Sequence, residues 1–251
     1  MMLIRHDTSA YNMLKEQKVD DPLYKEFLVA WDRDKGALMT KWLAEQVVEK
    51  FSLVVGDADT PLADAEGKQA RATGVALSWL SMETPDVIFV SPYKRAWLTL
   101  KHLKRGWPAL RKIKIVEDDR LREQEHGLAL LYNDWRVFHA LHPKQRLLYE
   151  LEGPYDYCYP QGENIPRVRD RQRSIMSTII RDYAEQDVLV VTHHKSILSI
   201  RANLERLNKR QFIRLDERDK PINCGVTRYL GYPNEGKDGK LRLEFYNKKF
   251  Y

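Results

Sequence analysis

Three short apolar runs, each followed directly by polar residues, constrain the fold of this chain more than any other feature. They cover residues 1–4, 86–90 and 187–191. Runs of this length with few polar positions predict strands that are buried on both faces, as in a parallel sheet. Apolar residues at helical spacing between the runs, as in 65–79 and 168–183, predict helices. The alternation predicts an α/β fold, namely a three-layer α/β/α sandwich with a mostly parallel central sheet.

The rest of the chain adds further elements to this plan. Apolar residues after Thr192 predict another helix. Strands are expected at 225–232 and 241–246, around a turn that contains Gly236 and Gly239. No internal repeat or low-complexity linker separates these elements.

Two segments, 13–51 and 128–160, are longer than a simple crossover connection needs. We expect both to be helical insertions within a single domain that spans residues 1–251. Each follows a point at which chemistry is expected, and ligands of open α/β sheets bind outside the carboxyl ends of the strands. The insertions are therefore expected to form a lid, while ordinary helical packing stays open as the alternative.

The charge and the cysteine content limit the partners and the compartment. The net charge is +6, but lysine and arginine are spread along the whole chain without a dense basic block. This pattern favours a small anionic substrate held by a few arginines, and we expect no nucleic-acid partner. Two cysteines, no run of 18 apolar residues and charges throughout the first 20 residues predict a cytoplasmic protein without a membrane partner. The oligomeric state stays open.

Arginine and histidine residues stand where the three apolar runs end. Arg5 and His6 follow the first run, Arg95 comes shortly after the second, and His193 follows the third. Because the carboxyl ends of parallel strands meet at the same edge of a sheet, these side chains are expected to surround one point. Guanidinium groups bind phosphate oxygens bidentately, and a neutral imidazole has a nitrogen lone pair near pH 7. The pattern predicts a phosphate site with a histidine nucleophile.

Residues 3–12, Leu-Ile-Arg-His-Asp-Thr-Ser-Ala-Tyr-Asn, resemble the signature of the histidine phosphatase superfamily, branch 1, whose members are phosphoglycerate-mutase-like. The family signature reads L-[IV]-R-H-G-[EQ]-[ST]-x-x-N. Further segments are similar to other family motifs and occur in the family's order: 59–70, 91–99, 121–127, 160–163 and 190–193. One such match alone would be weak evidence, but six matches in order indicate this family and its phosphoglycerate-mutase-like fold.

The resemblance implies a role for each matching residue. His6 is implied as the nucleophile that becomes phosphohistidine, and Glu123 as the proton donor to the leaving alcohol and then the base for water. Glu125 lies two residues further on, but the spacing to Gly127 favours Glu123. The residues implied to bind the phosphoryl group are Arg5, Ser9, Asn12, Arg95, His193 and His194. No metal or cofactor is expected, because the arginines supply the positive charge.

Two positions beside the implied phosphate site depart from the family pattern. Asp7 and His194 stand where the family has glycine. Glycine permits backbone shapes and close approaches that a side chain hinders. A carboxylate at position 7 would also repel a phosphate. We therefore expect both residues to affect efficiency or substrate choice.

Other polar residues near the motifs are expected to have no catalytic role. Glu163 suits the start of a helix, where the dipole stabilises an acid. His193 and His194 do not indicate a metal, since neighbouring side chains diverge and no third ligand has a supporting spacing. The remaining histidines of the motif region are expected in the lid or on the surface: His126, His139 and His142.

Three functions fit these residues. The leading one is a metal-independent phosphatase that hydrolyses a small phosphomonoester through a phosphohistidine intermediate. The second is a phosphoglycerate mutase, which needs a water-poor site and basic residues for the substrate carboxylate; Arg136 and Arg146 stand singly here. The third is a family member that binds phosphorylated ligands and turns over poorly, which Asp7 and His194 would explain.

Overall fold

The computed structural model describes residues 1–52, 55–80, 82–235 and 239–251. Its strands are β1 (Met2–Arg5), β2 (Val87–Val90), β3 (Lys114–Glu117), β4 (Val188–Thr192), β5 (Val226–Tyr232) and β6 (Lys240–Lys248). They form one sheet in the order β3-β2-β4-β1-β5-β6. The first four strands in this order are parallel to one another, and β5 and β6 continue the sheet in antiparallel pairing.

The helices occupy most of the chain between the strands. They are α1 (Ala10–Asp20), α2 (Pro22–Arg33), α3 (Leu38–Phe51), α4 (Lys68–Trp79), α5 (Lys94–Gly106), α6 (Trp135–Leu141), α7 (Pro143–Asp156), α8 (Ile165–Asp182), α9 (His194–Leu204) and α10 (Lys209–Arg218). Short 3₁₀ helices occur at Pro108–Lys112, Asp119–Leu121 and Gly127–Tyr132. Within the described residues, no helix has both the length and the apolar composition that a membrane crossing requires.

The sheet lies between two layers of helices. Alternate strand residues point to opposite faces, so Ile4 and Ile88 pack with α4 and α5, whereas Leu3 and Phe89 pack with α8 and α9. Both faces are therefore buried, which explains why the three central strands are apolar without interruption. The expected three-layer α/β/α architecture with a mostly parallel central sheet is confirmed.

The apolar runs identify the central strands well and the edge strand poorly. The runs 1–4, 86–90 and 187–191 correspond to β1, β2 and β4. The apolar runs do not predict β3, because its short Lys-Ile-Val-Glu segment is exposed at both ends and only half-buried between them. In the last hairpin, Gly236 lies outside the described residues, and Gly239 has a φ of 77° that suits a turn.

The chain divides into two compact units. The sheet, with α4, α5, α9, α10 and most of α8, belongs to the first unit, which consists of Met1–Ser9, Ala58–Glu123 and Arg167–Tyr251. The second unit is helical and consists of Ala10–Asp57 and Gln124–Pro166. These two segments contain the expected insertions, and 13–51 forms α1 to α3 as expected. The single-domain description and the lid role stay predictions.

The second unit has its own apolar core. Tyr24, Phe27 and Trp31 of α2 pack with Leu43 and Val47 of α3 and with residues of α6. A neighbouring cluster of aromatic rings includes Phe138, Tyr157 and Tyr159. A buried ion pair joins Lys18 of α1 to Asp134 at the start of α6, with an Nζ–Oδ2 distance of 3.0 Å.

His139 lies inside this aromatic cluster and is fully buried, so of the two expected places, the lid or the surface, only the lid segment 128–160 applies to it, and its lid role stays a prediction. Its ring lies 4.7 Å from the ring of Tyr149 and 5.2 Å from that of Phe138. Neither ring nitrogen has a hydrogen-bond partner among the described residues. Burial disfavours the charged imidazolium and lowers the pKa of His139 to about 4.

Replacement of His139 by phenylalanine should make the second unit less sensitive to acid. At pH 5 the unfolded chain binds a proton at His139, whereas the folded chain, with a pKa of about 4, does not. The wild type should therefore lose about 2 kcal/mol of stability at this residue between pH 7.5 and pH 5, and His139→Phe should not. Urea unfolding at both pH values measures the difference, and an equal loss in the two proteins would contradict the assignment.

Candidate active site

The predicted phosphate-binding residues of the first unit converge at the carboxyl ends of the parallel strands. β1 pairs with β4 in a register that places Arg5 opposite Thr192, and His6 N–H donates to the Thr192 carbonyl. His6 and His193 therefore emerge side by side, with ring centroids 5.1 Å apart. β2 is the other neighbour of β4 and leads through Ser91 to Arg95 in the first turn of α5.

His6 is held as a neutral imidazole with one free nitrogen. Its Nδ1 lies 2.6 Å from the Asp7 carbonyl oxygen. A carbonyl can only accept, so Nδ1 carries the proton and Nε2 carries the lone pair. Burial lowers the pKa of His6 well below its usual value, and the charges of Arg95 and Arg5 lower it further. The ring is therefore neutral near pH 7, and its Nε2 has the lone pair that a nucleophile requires.

Two buried nitrogens close to His6 have no hydrogen-bond partner among the described residues, namely Arg5 Nε and His193 Nδ1. Arg5 is anchored by Nη1, which donates to the Pro221 carbonyl at 2.7 Å. His193 Nε2 lies 2.7 Å from Ser91 Oγ, and the same hydroxyl accepts from Tyr93 N–H. In the tautomer in which Ser91 donates to Nε2, the proton is on Nδ1, which is then a donor without a partner.

Buried donors without partners are costly, at about 1–3 kcal/mol each, and such groups occur where a polar ligand binds. Both donors belong to residues that flank His6 along the sheet edge. Arg95 adds a second guanidinium; it is 4% exposed, and its Cζ lies 4.8 Å from the centroid of the Tyr93 ring. The arrangement can therefore bind an anion with several oxygens and place it against a histidine nitrogen.

Glu123 is brought to the same edge of the sheet by a firmly bound loop. Three consecutive carbonyls accept hydrogen bonds from side chains: Leu121 from Thr192, Arg122 from Ser196 and Glu123 from Arg171. The Glu123 carboxylate accepts from the Lys195 amide, at 3.0 Å through Oε1 and 3.3 Å through Oε2. Burial lowers the pKa of Arg5, and the charge of Glu123 acts in the opposite direction.

Glu125, the alternative acid, belongs to the second unit and has structural contacts there. Its amide donates to Glu163 Oε2 at 3.2 Å. The backbone carbonyl of Glu163 accepts a hydrogen bond from the side-chain amide of Gln124. The unit that carries His6 contains Glu123, whereas Glu125 belongs to the second unit; the choice of Glu123 as the acid and the role of Glu163 stay predictions.

Asp7 directs its carboxylate towards the start of α4. Oδ2 accepts from Ala70 N–H at 2.9 Å, and Oδ1 accepts from Thr8 N–H at 2.6 Å. Gly67, the residue before α4, has no side chain to cap the helix, so the Asp7 carboxylate provides the cap. Asp7 does not have a positive φ, and its backbone therefore does not require glycine. Repulsion of a phosphate was expected, but both carboxylate oxygens are bound by backbone N–H groups.

His194 is the first residue of α9, a position that any residue can adopt. Its Nε2 lies 2.8 Å from Asp216 Oδ1 of α10. Burial lowers the pKa of His194 to about 3 despite this carboxylate, so the ring is neutral near pH 7. The imidazole is thus engaged with Asp216, and a phosphate contact by His194 is left to its backbone N–H at the helix start.

Ser9 and Asn12 complete the set of predicted phosphate-binding residues. Ser9 is buried in the first unit and forms an isolated bridge with Leu62. Asn12 lies in α1 of the second unit. Phosphate contacts of both residues stay predictions. Within the described part of the chain, no group of three His, Cys, Asp or Glu residues is arranged to hold a metal ion.

Sequence reasoning missed two residues of this site. Ser91 orients His193, and its position directly after β2 was the available signal. Asp216 lies in a helix far along the chain, and no sequence pattern connects it to His194.

A model of the histidine phosphatase superfamily, branch 1, matches residues 40–238, and the chain belongs to this family. The match begins after His6, so the assignment of the nucleophile rests on the geometry of the strand ends rather than on the matched region.

Several characterised proteins are similar in sequence. A 2,3-bisphosphoglycerate-dependent phosphoglycerate mutase from Methanococcus vannielii is 27% identical over 233 residues, which are 82% of this chain and 93% of that protein. The phosphoglycerate mutase-like protein AT74 from Arabidopsis thaliana is 29% identical over 132 residues, 50% of this chain and 40% of that protein. Phosphoserine phosphatase 1 from Hydrogenobacter thermophilus is 26% identical, over 55% of this chain and 61% of that protein. The chain thus spans less than two thirds of the last two relatives.

Solved structures share the fold across nearly the whole chain. A mycobacterial glucosyl-3-phosphoglycerate phosphatase in complex with inorganic phosphate superposes with a TM-score of 0.63 at 18% identity, and covers 99% of this chain and 97% of its own. Bacillus stearothermophilus YhfR gives a TM-score of 0.64 at 19% identity, with coverage of 98% and 95%. At these identities the likeness concerns the fold alone.

Asp7→Gly introduces the glycine that the family has at this position, but it should destabilise the first unit. The change leaves the buried Ala70 N–H without its acceptor, which costs about 1–3 kcal/mol, and it should not increase turnover. Asp7→Asn is the matched control, because it keeps an oxygen that can accept from Ala70. Chemical denaturation of the three proteins measures the effect, and a glycine variant as stable as the wild type would contradict the capping role.

Proposed function

We propose that this chain is a metal-independent phosphatase that hydrolyses a small phosphomonoester through a phosphohistidine at His6. The observation that carries the proposal is the geometry around His6. Its Nδ1 is fixed by the Asp7 carbonyl, its Nε2 is free to attack, and the neighbouring residues Arg5 and His193 contribute two unpartnered buried nitrogens, Arg5 Nε and His193 Nδ1. Such an arrangement suits in-line transfer of a phosphoryl group to nitrogen.

In the first step, the Nε2 lone pair of His6 forms a bond to phosphorus while the bond to the ester oxygen breaks. Arg5, Arg95 and His193 stabilise the negative charge on the phosphoryl oxygens. Glu123, in its protonated form, gives its proton to the departing alkoxide, which leaves as the alcohol.

In the second step, water attacks phosphorus and the bond from phosphorus to Nε2 breaks. Glu123, now a carboxylate, takes the proton of the attacking water. Phosphate leaves, and His6 returns to its neutral form with the lone pair on Nε2. The two guanidinium groups provide the positive charge throughout, so the mechanism needs no metal ion.

The names of several relatives support a small phosphorylated substrate. One solved neighbour is a glucosyl-3-phosphoglycerate phosphatase and one sequence relative is a phosphoserine phosphatase. A nucleic-acid partner and a membrane partner are not part of the proposal, and a cytoplasmic location stays a prediction.

A phosphoglycerate mutase is the second candidate, favoured by the Methanococcus vannielii relative, which is matched over 93% of its length. A mutase needs basic residues for the substrate carboxylate. The first two arginines after Glu123 in the sequence are engaged by other protein groups. Arg136 lies over the ring of Trp135, and Arg146 donates to the Lys35 carbonyl. These contacts favour the phosphatase.

Phosphate release from para-nitrophenyl phosphate in the presence of EDTA should depend on His6. His6→Ala should lower the rate by about a thousandfold or more, because the covalent intermediate cannot form. Rapid quenching with labelled substrate should trap an acid-labile phosphohistidine in the wild type and none in the variant. His193→Gln, which keeps the nucleophile, should still form the label, but more slowly. Activity that EDTA abolishes, or that survives His6→Ala, would contradict the proposal.

The mutase alternative is separated by a second assay with 3-phosphoglycerate. The phosphatase should release inorganic phosphate from some phosphomonoesters and should not interconvert 2- and 3-phosphoglycerate. Interconversion without release of phosphate would overturn the preference for hydrolysis.

A further inference from the structure

Asp216 is connected to the candidate acid through the first turn of α9. Its carboxylate has two partners, one for each oxygen: His194 Nε2 lies 2.8 Å from Oδ1, and Lys195 Nζ donates to Oδ2 at 2.5 Å. All three side chains are at most 24% exposed. The backbone N–H of Lys195 donates to the carboxylate of Glu123. Lys195 thus connects the two acids: its backbone N–H binds Glu123, and its side chain binds Asp216.

The electrostatics of this cluster favour an ionised Asp216. Burial opposes the charge, but the neighbouring His194 and the charge of Lys195 hold the pKa of Asp216 well below its usual range. The His194 ring stays neutral, and its Nε2 lies close to Oδ1 without the geometry of a hydrogen bond. The ionised carboxylate therefore binds Lys195 through a charge-assisted hydrogen bond and packs against His194 at the start of the same helix.

The segment after α10 contacts the phosphate site at a second point. Five residues beyond Asp216, the Pro221 carbonyl accepts from Arg5 Nη1, and the Asn223 side chain donates to the His6 carbonyl. Cys224 N–H donates to the Arg5 carbonyl. Asp216 binds Lys195 of α9 just before this segment. The end of α10 and the residues after it therefore contact both the turn that binds Glu123 and the strand end that carries His6.

We propose that Asp216 is a positioning residue for the reaction: by binding the Lys195 side chain it fixes the first turn of α9, and with it the Lys195 amide that orients the Glu123 carboxylate. The inference rests on the proposed function and extends it to a residue outside the family motifs.

Asp216→Ala tests the inference by its dependence on the leaving group. An alkyl phosphomonoester such as glycerol phosphate needs protonation of a poor leaving group, whereas para-nitrophenolate leaves with little help. The variant should lower kcat about tenfold or more for the alkyl ester and less than about threefold for the aryl ester, with KM little changed, since only the acid is displaced. Asp216→Glu should recover part of the loss.

A double-mutant cycle separates an effect through Glu123 from general damage. In a Glu123→Gln background, removal of the Asp216 carboxylate should change kcat less than about twofold, since the acid is already absent. Glu217→Ala is the matched control, because it removes one exposed carboxylate from the same helix and should leave kcat unchanged. Equal defects for both esters, or full additivity with Glu123→Gln, would overturn the inference.

Amide hydrogen exchange at Lys195 provides a readout that does not depend on turnover. Asp216→Ala should speed the exchange of this amide about tenfold or more relative to the wild type and to Glu217→Ala, because the first turn of the helix loses its anchor. Unchanged exchange would contradict the positioning role even if the enzyme is active. A wild type without activity on any phosphomonoester would contradict the proposed function, and the exchange result would still decide whether Asp216 orders the turn.

Discussion

The parallel pairing of β1 with β4 is the contact on which the rest of the site depends. Its register places Arg5 opposite Thr192, so that the next residue of each strand is a histidine. The two rings then lie 5.1 Å apart although their residues are 187 positions apart in the sequence. A slip of one residue would turn every side chain of β1 to the other face of the sheet. Burial of both faces fixes the register, and the register fixes the distance between His6 and His193.

Burial gives this edge of the sheet its chemistry as well as its geometry. His6 is 3% exposed and His193 is fully buried, and desolvation lowers the pKa of both rings. The arginines act in the same direction, since a positive neighbour disfavours imidazolium. The same charges that repel a proton attract an anion, and thus one set of residues both keeps His6 neutral and suits the binding of the proposed phosphate ester. The unpartnered donors of Arg5 and His193 remain available for that substrate because the rest of each side chain is already anchored.

Helix starts provide the other fixed points of the site. The Asp7 carboxylate caps α4, the Glu123 carboxylate binds the first turn of α9, and Asp216 holds the same turn from α10. In each case an acidic side chain meets N–H groups or side chains at the positive end of a helix dipole, where a negative charge is stabilised. The departures from glycine at Asp7 and His194 are therefore accommodated by neighbouring helices, and neither residue needs a strained backbone.

The sequence was sufficient to predict the sheet, its parallel centre and the residues at its edge. Strands buried on both faces are apolar throughout, and the residues that follow them must meet at one edge, so Arg5, His6, Arg95 and His193 could be grouped before any coordinates were known. The sequence does not predict which partner a side chain points to, because that partner can lie far away along the chain. Asp7 could be read from sequence only as a charge beside a phosphate, whereas the position of Ala70 turns it into a helix cap. His194 and Asp216 are 22 positions apart with no pattern to link them, and His139 lies in an aromatic core whose rings include Tyr149 and Tyr157 from further along the chain. The local hydrophobic pattern determines where helices and strands form, whereas the packing of elements that are distant in sequence determines which polar groups come into contact.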